Sequence, residues 1–408
     1  MFGHNPMTGL SSPESRVPSP VFSATDHALM ARALRLAQRG LFTTQPNPRV
    51  GCVIAREGEV VGEGWHRRAG EPHAEVFALR AAGELARDAA VYVTLEPCSH
   101  HGRTPPCADA LIEAGVTRVV FASEDPNPRV AGAGLGRMHE AGIVVGGGLL
   151  RDAARELNRG FFLRFERGRP WVRIKLAMSL DGRTALANGD SKWITGEAAR
   201  ADVQRWRARS SAILTGTGTA RADDPHLTVR LSETYSHLNP PLEGGGSKPL
   251  RVVLDARLDA LHAGAHLLDG SVPTLVLHAA GAQPTDHRYA PVELATLPID
   301  GSGGLDLAAA MHLLAARGVN ELQVEAGPVL CGALFEAGLV DELLLYVAPV
   351  LLGDSARPLF ALPALTTMAS RWQLRVIEQR TVGGDLRLLL RPASGAKDAI
   401  RQTPPAAV

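Results

Sequence analysis

The sequence predicts a two-domain α/β protein, and three observations support this prediction. Short β-prone runs alternate with helical patterns of about ten residues, which is typical of βαβ units on a parallel or mixed sheet. The chain has 408 residues, enough for two or three domains of about 100–200 residues each. A charged stretch closed by glycine and proline, residues 164–170, separates two series of these patterns. We therefore place the domain boundary there.

The elements of the first half follow from periodicity and turn residues. An apolar stripe over residues 26–39 predicts a helix, and Gly40 stands where a left-handed glycine commonly ends one. Residues 56–59 separate two β-prone runs, 50–55 and 60–65, and indicate a hairpin. The same criteria predict helices over 73–82 and 107–114 and strands over 91–95, 116–122 and 143–145.

The second half restarts the alternation after the boundary. Its predicted helices are 197–208 and 305–317, and its predicted strands are 171–177, 212–215, 251–254, 274–278, 321–325, 342–347, 372–377 and 386–390. Residues 236–248 are rich in proline and glycine, which predicts a long surface loop. No segment repeats with a period of about 20–50 residues, which excludes a solenoid.

Composition and charge exclude several classes of protein. With 43 basic and 42 acidic side chains the formal net charge is +1, which provides no broad field for a phosphate backbone or an anionic membrane. Four cysteines are too few for a disulfide scaffold, and no apolar run reaches the roughly 20 residues that span a bilayer. We expect a cytoplasmic protein without a secretory signal, with disordered tails over residues 1–24 and 393–408.

Three residues of the first half form a candidate zinc site. His73 opens a predicted helix, Cys98 follows a strand, and Cys107 begins the next helix. One imidazole and two thiolates occupy three corners of a tetrahedral zinc site and leave the fourth open for water. Zinc lowers the pKa of bound water to about 7, and Glu75 can take the released proton and pass it to a leaving amine. This combination is what hydrolytic removal of an amino group from a heterocycle requires.

Other interpretations of this pattern stay open from the residues alone. The pattern found in zinc deaminases of nucleobases is H-x-E followed by P-C-x-x-C, but eight residues separate Cys98 from Cys107 here. A nucleic-acid base deaminase with an accessory domain is the alternative function, disfavoured by this spacing, by the net charge and by only 5% aromatic residues. A non-catalytic zinc module, or reduced cysteines beside a packing histidine, would give Glu75 no role. Cys52 and Cys331 have no ligand partners nearby in sequence and are expected to be small buried apolar residues.

Five motifs resemble, in order and spacing, the deaminase domain of the bifunctional riboflavin-biosynthesis deaminase/reductase family. They are residues 47–52, 64–66, 73–75, 97–107 and 125–128. The resemblance implies a cytidine-deaminase-like three-layer domain over 25–168 that deaminates a diaminopyrimidinone ribosylamine 5′-phosphate. By this resemblance Asn47 would hold the base. The residues that would reach the ribose and phosphate are His66, His100, Arg103, Asp125 and Asn127.

The residues of the second half say less by themselves. Glycines stand at predicted strand ends, at Gly216, Gly218 and Gly327, where open sheets bind ligands. No G-x-G-x-x-G motif opens a helix after the first strand of this half. A purely structural or dimerising domain is therefore an open alternative from these residues.

Four further motifs, residues 175–182, 191–195, 222–230 and 325–328, resemble the reductase domain of the same family. The resemblance implies a dihydrofolate-reductase-like domain over 169–392 that reduces the ribosyl chain to ribityl with NADPH. Implied NADPH contacts are Ala177, Trp193, Thr219, Asp223, Gly327, Pro328, Val329, Leu330, Cys331, Gly332 and Ala333. Implied substrate contacts are Ser191, Arg207, Leu227, Arg230 and Glu325, with Arg207 and Arg230 suited to the phosphate.

Two departures from the family pattern affect the cofactor contacts. Ala326 stands where many members have a second glycine, and the loop over residues 236–248 is longer than usual. Trp193 has an alternative interpretation as a packed aromatic residue. The sequence also leaves open that one activity has been lost, although no expected ligand is missing. The overall expectation is a homo-oligomer with one Zn²⁺ per chain and NADPH, acting on a small phosphorylated pyrimidine without nucleic-acid or membrane partners.

Overall fold

The structure is a computed structural model that describes residues 21–99, 106–128, 130, 132–230, 248–284 and 286–393. Residues 1–20 and 394–408 of the expected tails and residues 236–247 of the expected loop lie outside these residues, as do His100 and Arg103. The first tail was predicted too long, because Ser23 caps a helix that begins at Ala24. None of the helices within the described ranges combines the length and the apolarity that crossing a bilayer requires.

Within the described part of the first half, five strands form a mixed sheet in the order β2-β1-β3-β4-β5. The strands are β1 (Gly51–Arg56), β2 (Glu59–Trp65), β3 (Ala90–Val93), β4 (Arg118–Phe121) and β5 (Val144–Gly147). β1 pairs antiparallel with β2 and β3, whereas β3, β4 and β5 run parallel. The carboxyl ends of β3 and β4 therefore share one edge of the sheet with the start of β1.

Helices cover both faces of this sheet, as the expected three-layer domain requires. They are α1 (Ala24–Gln38), α2 (Ala74–Ala82), α3 (Cys107–Glu113), α4 (Ala133–Glu140), α5 (Arg151–Leu157) and α6 (Arg159–Arg167). α1 packs Leu29 and Met30 into a core with Val53 and Tyr92 on one face. The opposite face forms a second core with side chains of α2, α3 and α4.

The hairpin between β1 and β2 is confirmed, but the expected role of Gly40 is wrong. Glu57 and Gly58 join the two strands with φ of 54° and 88°, the backbone that a two-residue hairpin turn with right-handed strand twist needs. Gly40 has no left-handed φ. A Cβ at Gly40 would lie 2.9 Å from the carbonyl oxygen of His66, so a close approach of backbone segments requires this glycine.

In the described part of the second half, nine strands form one sheet in the order β11-β10-β9-β8-β12-β6-β13-β16-β15. The strands are β6 (Trp171–Ser179), β8 (Ala212–Gly216), β9 (Leu250–Leu254), β10 (Thr274–Ala279), β11 (Glu293–Leu297), β12 (Glu321–Val324), β13 (Glu342–Ala348), β15 (Leu374–Val382) and β16 (Asp385–Pro392). A small separate sheet consists of β7 (Arg183–Ala185) and β14 (Arg357–Pro358). Neighbours from β11 to β13 are parallel, and β16 and β15 add antiparallel. The helices are α7 (Glu197–Arg209), α8 (Thr217–Asp223), α9 (Leu307–Ala316) and α10 (Pro328–Glu336).

The sequence interpretation missed several elements and misplaced one. The charged stretch over 164–170 is partly helical, since α6 continues to Arg167 and ends at Gly168 with φ of 65°. The Phe161 and Phe162 side chains of α6 belong to the core of the first half. Helices α8 and α10 and strand β11 were not predicted. Strand β15 begins at Leu374 and continues to Val382 rather than spanning 372–377.

Buried ion pairs join the two halves. We call this group the junction cluster, defined by its fully or largely buried charged residues Arg49, Arg159, Arg173, Arg209, Glu321 and Glu342. Arg49 of the first half contacts Glu321 of the second at 2.8 Å. Arg159 of α6 contacts Glu342 of β13 at 2.8 Å. The two halves therefore share charged groups that neither could leave unpaired without a large desolvation penalty.

Candidate active sites

The three predicted zinc ligands meet at one edge of the five-stranded sheet. His73 Nδ1 lies 3.3 Å from Cys107 Sγ and 3.5 Å from Cys98 Sγ. All three candidate ligand atoms lie within 4.8 Å of one another, and no other such group occurs in the described part of the chain. His73 stands at the N-cap of α2 and Cys107 begins α3, so the helix starts bring the three residues together.

The chemistry of these donors suits zinc. Hydrogen bonds from the Cys107 thiol and from His73 lower the pKa of Cys98 to about 4, and the Cys107 backbone N–H also donates to its sulfur at 3.4 Å. The pKa of Cys107 is raised by its hydrogen bond to Cys98 and by burial. The two sulfurs lie close enough together for one divalent cation to interact with both as thiolates. A pair of soft thiolates with an imidazole is a donor set that selects zinc among common divalent ions.

Glu75 lies in the first turn of α2, two residues from His73. Its side chain is only 3% exposed, and Oε2 has no hydrogen-bond partner among the described residues. Burial raises the pKa of this carboxyl, which favours a group that takes and releases a proton near neutral pH. A Cβ at Gly64 would lie 2.3 Å from the Ala74 carbonyl oxygen, so the backbone of β2 fixes the helix start that carries Glu75.

Asn47 and His66 form a hydrogen-bonded pair beside the candidate ligands. His66 Nδ1 lies 3.1 Å from the Pro72 carbonyl oxygen, which can only accept, so Nδ1 carries the proton. Nε2 is then the acceptor for Asn47 Nδ2, at 3.1 Å. Burial lowers the pKa of His66, which keeps this tautomer neutral. Its ring meets that of His73 edge-on, with centroids 5.5 Å apart.

The sequence interpretation missed Glu96, which organises the loop containing Asp125 and Asn127. The buried Glu96 carboxylate accepts backbone N–H groups of Asp125 at 3.3 Å and Gly132 at 2.8 Å. Asp125 Oδ1 then accepts the backbone N–H of Asn127 at 2.9 Å. An acidic residue at the end of a buried strand, directly before Pro97, was the available signal. His100 and Arg103 lie outside the described residues.

The predicted residues of the second half gather at the carboxyl edge of the nine-stranded sheet. Gly216 ends β8, Glu325 follows β12, and Gly327 is the N-cap of α10 without a side-chain cap. A Cβ at Gly327 would lie 3.9 Å from Thr219 Oγ1, and one at Gly216 would lie 3.1 Å from Leu330 Cδ2. The starts of α8 and α10 therefore lie side by side, with glycine backbone open to a phosphate-bearing cofactor.

The Arg207 guanidinium is hydrogen-bonded within the protein, whereas the sequence predicted that it would bind a phosphate. Its Nε and one terminal nitrogen each donate to the Glu325 carboxylate at 2.7 Å, and the other donates to the Thr228 carbonyl at 2.9 Å. Gln323 Nε2 adds a bond to Glu325 at 2.8 Å. Burial opposes ionisation of Glu325, but Arg207 outweighs it and lowers the pKa of Glu325 to about 2. Arg207 thus fixes an ionised Glu325.

Lys175 of β6 faces the same ion pair and was not selected from the sequence. Burial lowers the pKa of its ammonium group, while Glu325 opposes that shift. Its residue number falls within a motif that carried the family resemblance, but no local pattern distinguishes a site lysine from an ordinary strand residue. Only the fold shows that this half-buried lysine interacts electrostatically with Glu325 and Arg207.

The remaining predicted contacts divide by exposure. Trp193 is 70% exposed, with the Arg200 guanidinium 4.6 Å from its ring centre, so the alternative of a packed core aromatic is wrong. Leu227 is 2% exposed with φ of 47°, so its side chain packs in the core and leaves its backbone for a ligand. Six of the others are partly exposed: Ala177, Ser191, Thr219, Pro328, Leu330 and Ala333. Three are largely exposed, namely Asp223, Arg230 and Val329, and two are buried, namely Cys331 and Gly332.

The expectation that two cysteines are buried apolar residues is confirmed. Cys52 and Cys331 are both fully buried, and burial raises the pKa of each thiol, that of Cys331 to about 12. Cys331 Sγ donates to the Ala326 carbonyl oxygen at 3.3 Å. Its side chain therefore faces the core, and any contact of this position with a cofactor would involve its backbone.

Two family models match the chain. The cytidine and deoxycytidylate deaminase zinc-binding region matches residues 23–123. The RibD C-terminal domain matches residues 170–387. The two matches fall on the two halves that carry the two candidate sites.

Relatives and solved structures match over nearly the whole chain. The riboflavin biosynthesis protein RibD of Escherichia coli is 52% identical over 371 residues, covering 90% of this chain and 99% of that protein. That of Haemophilus influenzae is 47% identical, covering 91% and 98%. A structure of Acinetobacter baumannii RibD aligns with a TM-score of 0.82 at 44% identity, covering 91% and 99%. A Thermotoga maritima deaminase/reductase aligns with a TM-score of 0.78 at 31% identity, covering 90% and 99%.

Proposed function

Since this chain belongs to the RibD family of bifunctional riboflavin-biosynthesis enzymes, which combine a deaminase and a reductase, we propose how its residues divide the two reactions. Residues 25–168 would deaminate 2,5-diamino-6-(5-phosphoribosylamino)pyrimidin-4(3H)-one. Residues 169–392 would then reduce the ribosyl chain to ribityl with NADPH. The match of 170–387 to the RibD C-terminal domain argues against an accessory domain on a nucleic-acid base deaminase.

One zinc ion per chain would be held by His73, Cys98 and Cys107. Bound there, zinc would supply the Lewis acidity that makes water nucleophilic at neutral pH. The observation that carries this proposal is the convergence of three ligand atoms within 4.8 Å beside the unpartnered Oε2 of Glu75. A structural zinc site would need a fourth protein ligand, and no fourth His, Cys, Asp or Glu joins this group among the described residues.

Glu75 would move the proton during deamination. Its buried carboxylate takes a proton from the attacking water and donates it to the departing amine, and its raised pKa suits both transfers. Asn47 would hold the pyrimidinone. Because Asn47 Nδ2 is bonded to neutral His66, the amide oxygen is the atom directed to an N–H group of the base. Asp125, Asn127, His100 and Arg103 would contact the ribose and phosphate.

The reductase would use backbone for the cofactor and charged side chains for the substrate. NADPH supplies the hydride. Its phosphates would lie along Gly327 and the start of α10 beside Thr219 and Asp223, with its rings near Ala177 and Trp193. The ionised Glu325, held by Arg207, and the half-buried Lys175 would hydrogen-bond the ribosyl hydroxyls, with Ser191, the Leu227 backbone and Arg230 completing the substrate site.

We also propose that the enzyme is a homo-oligomer. The nine-stranded sheet ends in β15, whose side chains are largely exposed and include Leu374, Val376 and Ile377. An exposed apolar edge strand is a liability that proteins usually cover. Light scattering of the purified chain tests this, and a strictly monomeric mass would contradict it.

Product analysis tests the assigned roles. The full chain with the diaminopyrimidinone phosphate should release ammonia and give the deaminated mass without NADPH, and the reduced mass with it. Glu75→Gln should retain zinc but release ammonia about 10²–10⁴-fold more slowly, the usual contribution of a positioned acid–base group. Glu84→Gln, an exposed glutamate after the same helix, is the control. Undiminished ammonia release from Glu75→Gln would contradict the role of Glu75.

A further inference from the structure

The loop that carries Asn47 is held by the other half of the molecule. Asn320, directly before β12, donates from Nδ2 to the Gln45 side-chain oxygen and to the Pro46 carbonyl, both at 2.8 Å. Ser211, directly before β8, donates from Oγ to the same Gln45 oxygen at 3.0 Å. The reductase half thus binds the two residues that precede Asn47.

The direction of the Ser211 hydroxyl is fixed by its surroundings. Ser211 Oγ accepts the backbone N–H groups of Asn320 at 3.0 Å and Glu321 at 3.2 Å. Both of these groups can only donate, so the single hydroxyl proton is directed to Gln45. A chain of hydrogen bonds therefore runs from the start of β12 through the Ser211 hydroxyl to the Gln45 side chain. The backbone N–H groups orient the hydroxyl, and the hydroxyl orients the Gln45 amide.

The residues that follow Asn47 are held equally firmly. Arg49 donates to Glu321 at 2.8 Å, and both side chains are almost completely buried. Its backbone N–H and carbonyl both bond to the Asn158 side chain at 2.8 Å. Asn47 thus lies between two fixed points, Pro46 and Arg49, each of which contacts the start of β12.

We infer that Asn320, Ser211 and Glu321, three residues of the reductase half, act as positioning residues for deamination by fixing residues 45–49 and with them the Asn47 amide. This inference rests on the proposed role of Asn47 in holding the base. A displacement of about 1 Å in such a group costs about 10²-fold in rate, so the deaminase depends on contacts outside its own sheet. The reductase half thus positions the deaminase substrate site without contacting the substrate.

The Gln45 side chain allows a test that spares the buried charges. Gln45→Met removes the acceptor of both hydrogen bonds at nearly constant size, whereas Gln45→Glu keeps an acceptor oxygen there. Asn320→Ala removes the donor from the other side. Glu156→Gln is the matched control, because Glu156 pairs with Arg159 and Arg391 at the junction and not with residues 45–49.

In the full-length enzyme, Gln45→Met and Asn320→Ala should each raise KM for deamination about tenfold, as the loss of partly buried hydrogen bonds predicts. Zinc content, kcat for deamination and NADPH-dependent reduction of the deaminated substrate should not change. Gln45→Glu and Glu156→Gln should behave as the wild type. The double variant Gln45→Met/Asn320→Ala should raise KM by less than the product of the two single effects, because the two substitutions share the Asn320–Gln45 hydrogen bond.

Two outcomes would overturn the inference, and they differ. If Asn47→Ala raises KM while Gln45→Met and Asn320→Ala match Glu156→Gln, the positioning role is wrong and the proposed role of Asn47 stands. If Asn47→Ala itself leaves KM unchanged, the proposed role of Asn47 is wrong and the inference fails with it. Thermal unfolding of each variant identifies any that lose activity by unfolding, and the half-buried Gln45 provides variants that avoid the core.

Discussion

The two candidate active sites differ in the kinds of group that line them. At the deaminase site the reactive groups are side chains facing one another, with His73, Cys98 and Cys107 in mutual contact and one Glu75 oxygen without a partner among the described residues. At the reductase site the charged groups are already paired, with Arg207 clamping Glu325, while the cofactor segment offers the glycine backbone of Gly327. The donor set of the first site suits a divalent cation, whereas the charged groups of the second site neutralise one another.

This difference follows from what each reaction asks of the protein. Hydrolysis needs a metal and a proton carrier, which only certain side chains can supply. Hydride transfer is performed by the nicotinamide, so the protein contributes position and charge. A change in side-chain chemistry should therefore abolish the deaminase outright. Comparable changes in the reductase half should act through orientation and stability.

The largest expected effect is loss of the metal. Cys107→Ala should abolish zinc binding and ammonia release, while reduction of the deaminated substrate with NADPH persists on the separate nine-stranded sheet. Cys52→Ala is the control, since Cys52 is equally buried but lies outside the ligand group. Elemental analysis and the two assays measured on the same preparation check this. Retention of stoichiometric zinc by Cys107→Ala would contradict the ligand assignment, and loss of reduction would show that the two sites are not independent.

The next effect concerns the ion pair of the reductase site. Glu325→Gln leaves the buried Arg207 guanidinium without a counter-ion, which should cost about 3–5 kcal/mol of folding free energy. NADPH oxidation should fall, and ammonia release should persist in the fraction that stays folded. Arg207→Met/Glu325→Gln, which removes both charges, should recover part of the stability without the activity. Urea unfolding measures the first quantity, and equal stability of the single and double variants would contradict the pairing.

A smaller effect appears in the pH dependence of stability. Because the pKa of Glu325 is about 2 in the folded protein against an ordinary 4.5, the unfolded chain binds the extra proton as pH falls. The stabilisation from Glu325 is therefore complete above about pH 4.5 and is lost progressively toward pH 2. The wild type should lose more stability in this window than Glu325→Gln does. Identical pH profiles of the urea midpoints would contradict the lowered pKa.

The same contrast explains what the sequence could predict. The zinc ligands and Glu75 belong to short motifs at helix starts, and their residue types follow from the chemistry, so residue patterns alone brought them together. The NADPH contacts could be predicted only through family resemblance. Glycine backbone at the end of a strand has no side chain that would indicate a particular ligand. Lys175 and Glu96 were missed because each is an ordinary residue in a strand pattern until the fold places it beside its charged or hydrogen-bonding partners.

Element prediction failed where tertiary contacts decide. Helix α6 runs into the charged stretch over 164–170 that indicated a domain boundary, and Arg159 of the same helix is buried against Glu342 of β13. Gly40 was expected to end a helix through a left-handed conformation, but the nearby His66 carbonyl is what requires a glycine. A pairing between residues 183 positions apart, or the approach of a distant backbone, leaves no periodic signal in the sequence.

The smallest predicted effect is at Trp193. It tests whether cofactor binding at the reductase site uses an exposed aromatic ring in addition to charged groups. Because this side chain is 70% exposed, Trp193→Ala should leave the unfolding temperature unchanged. If the indole packs on a cofactor ring, its loss should raise Kd for NADPH between about twofold and tenfold, the range of about 0.5–1.5 kcal/mol for an aromatic pair. Trp193→Phe retains a ring and should lose less. Fluorescence titration with NADPH measures both variants. A lowered unfolding temperature with unchanged NADPH affinity would mean that the ring, held 4.6 Å from the Arg200 guanidinium, stabilises the fold and does not contact the cofactor.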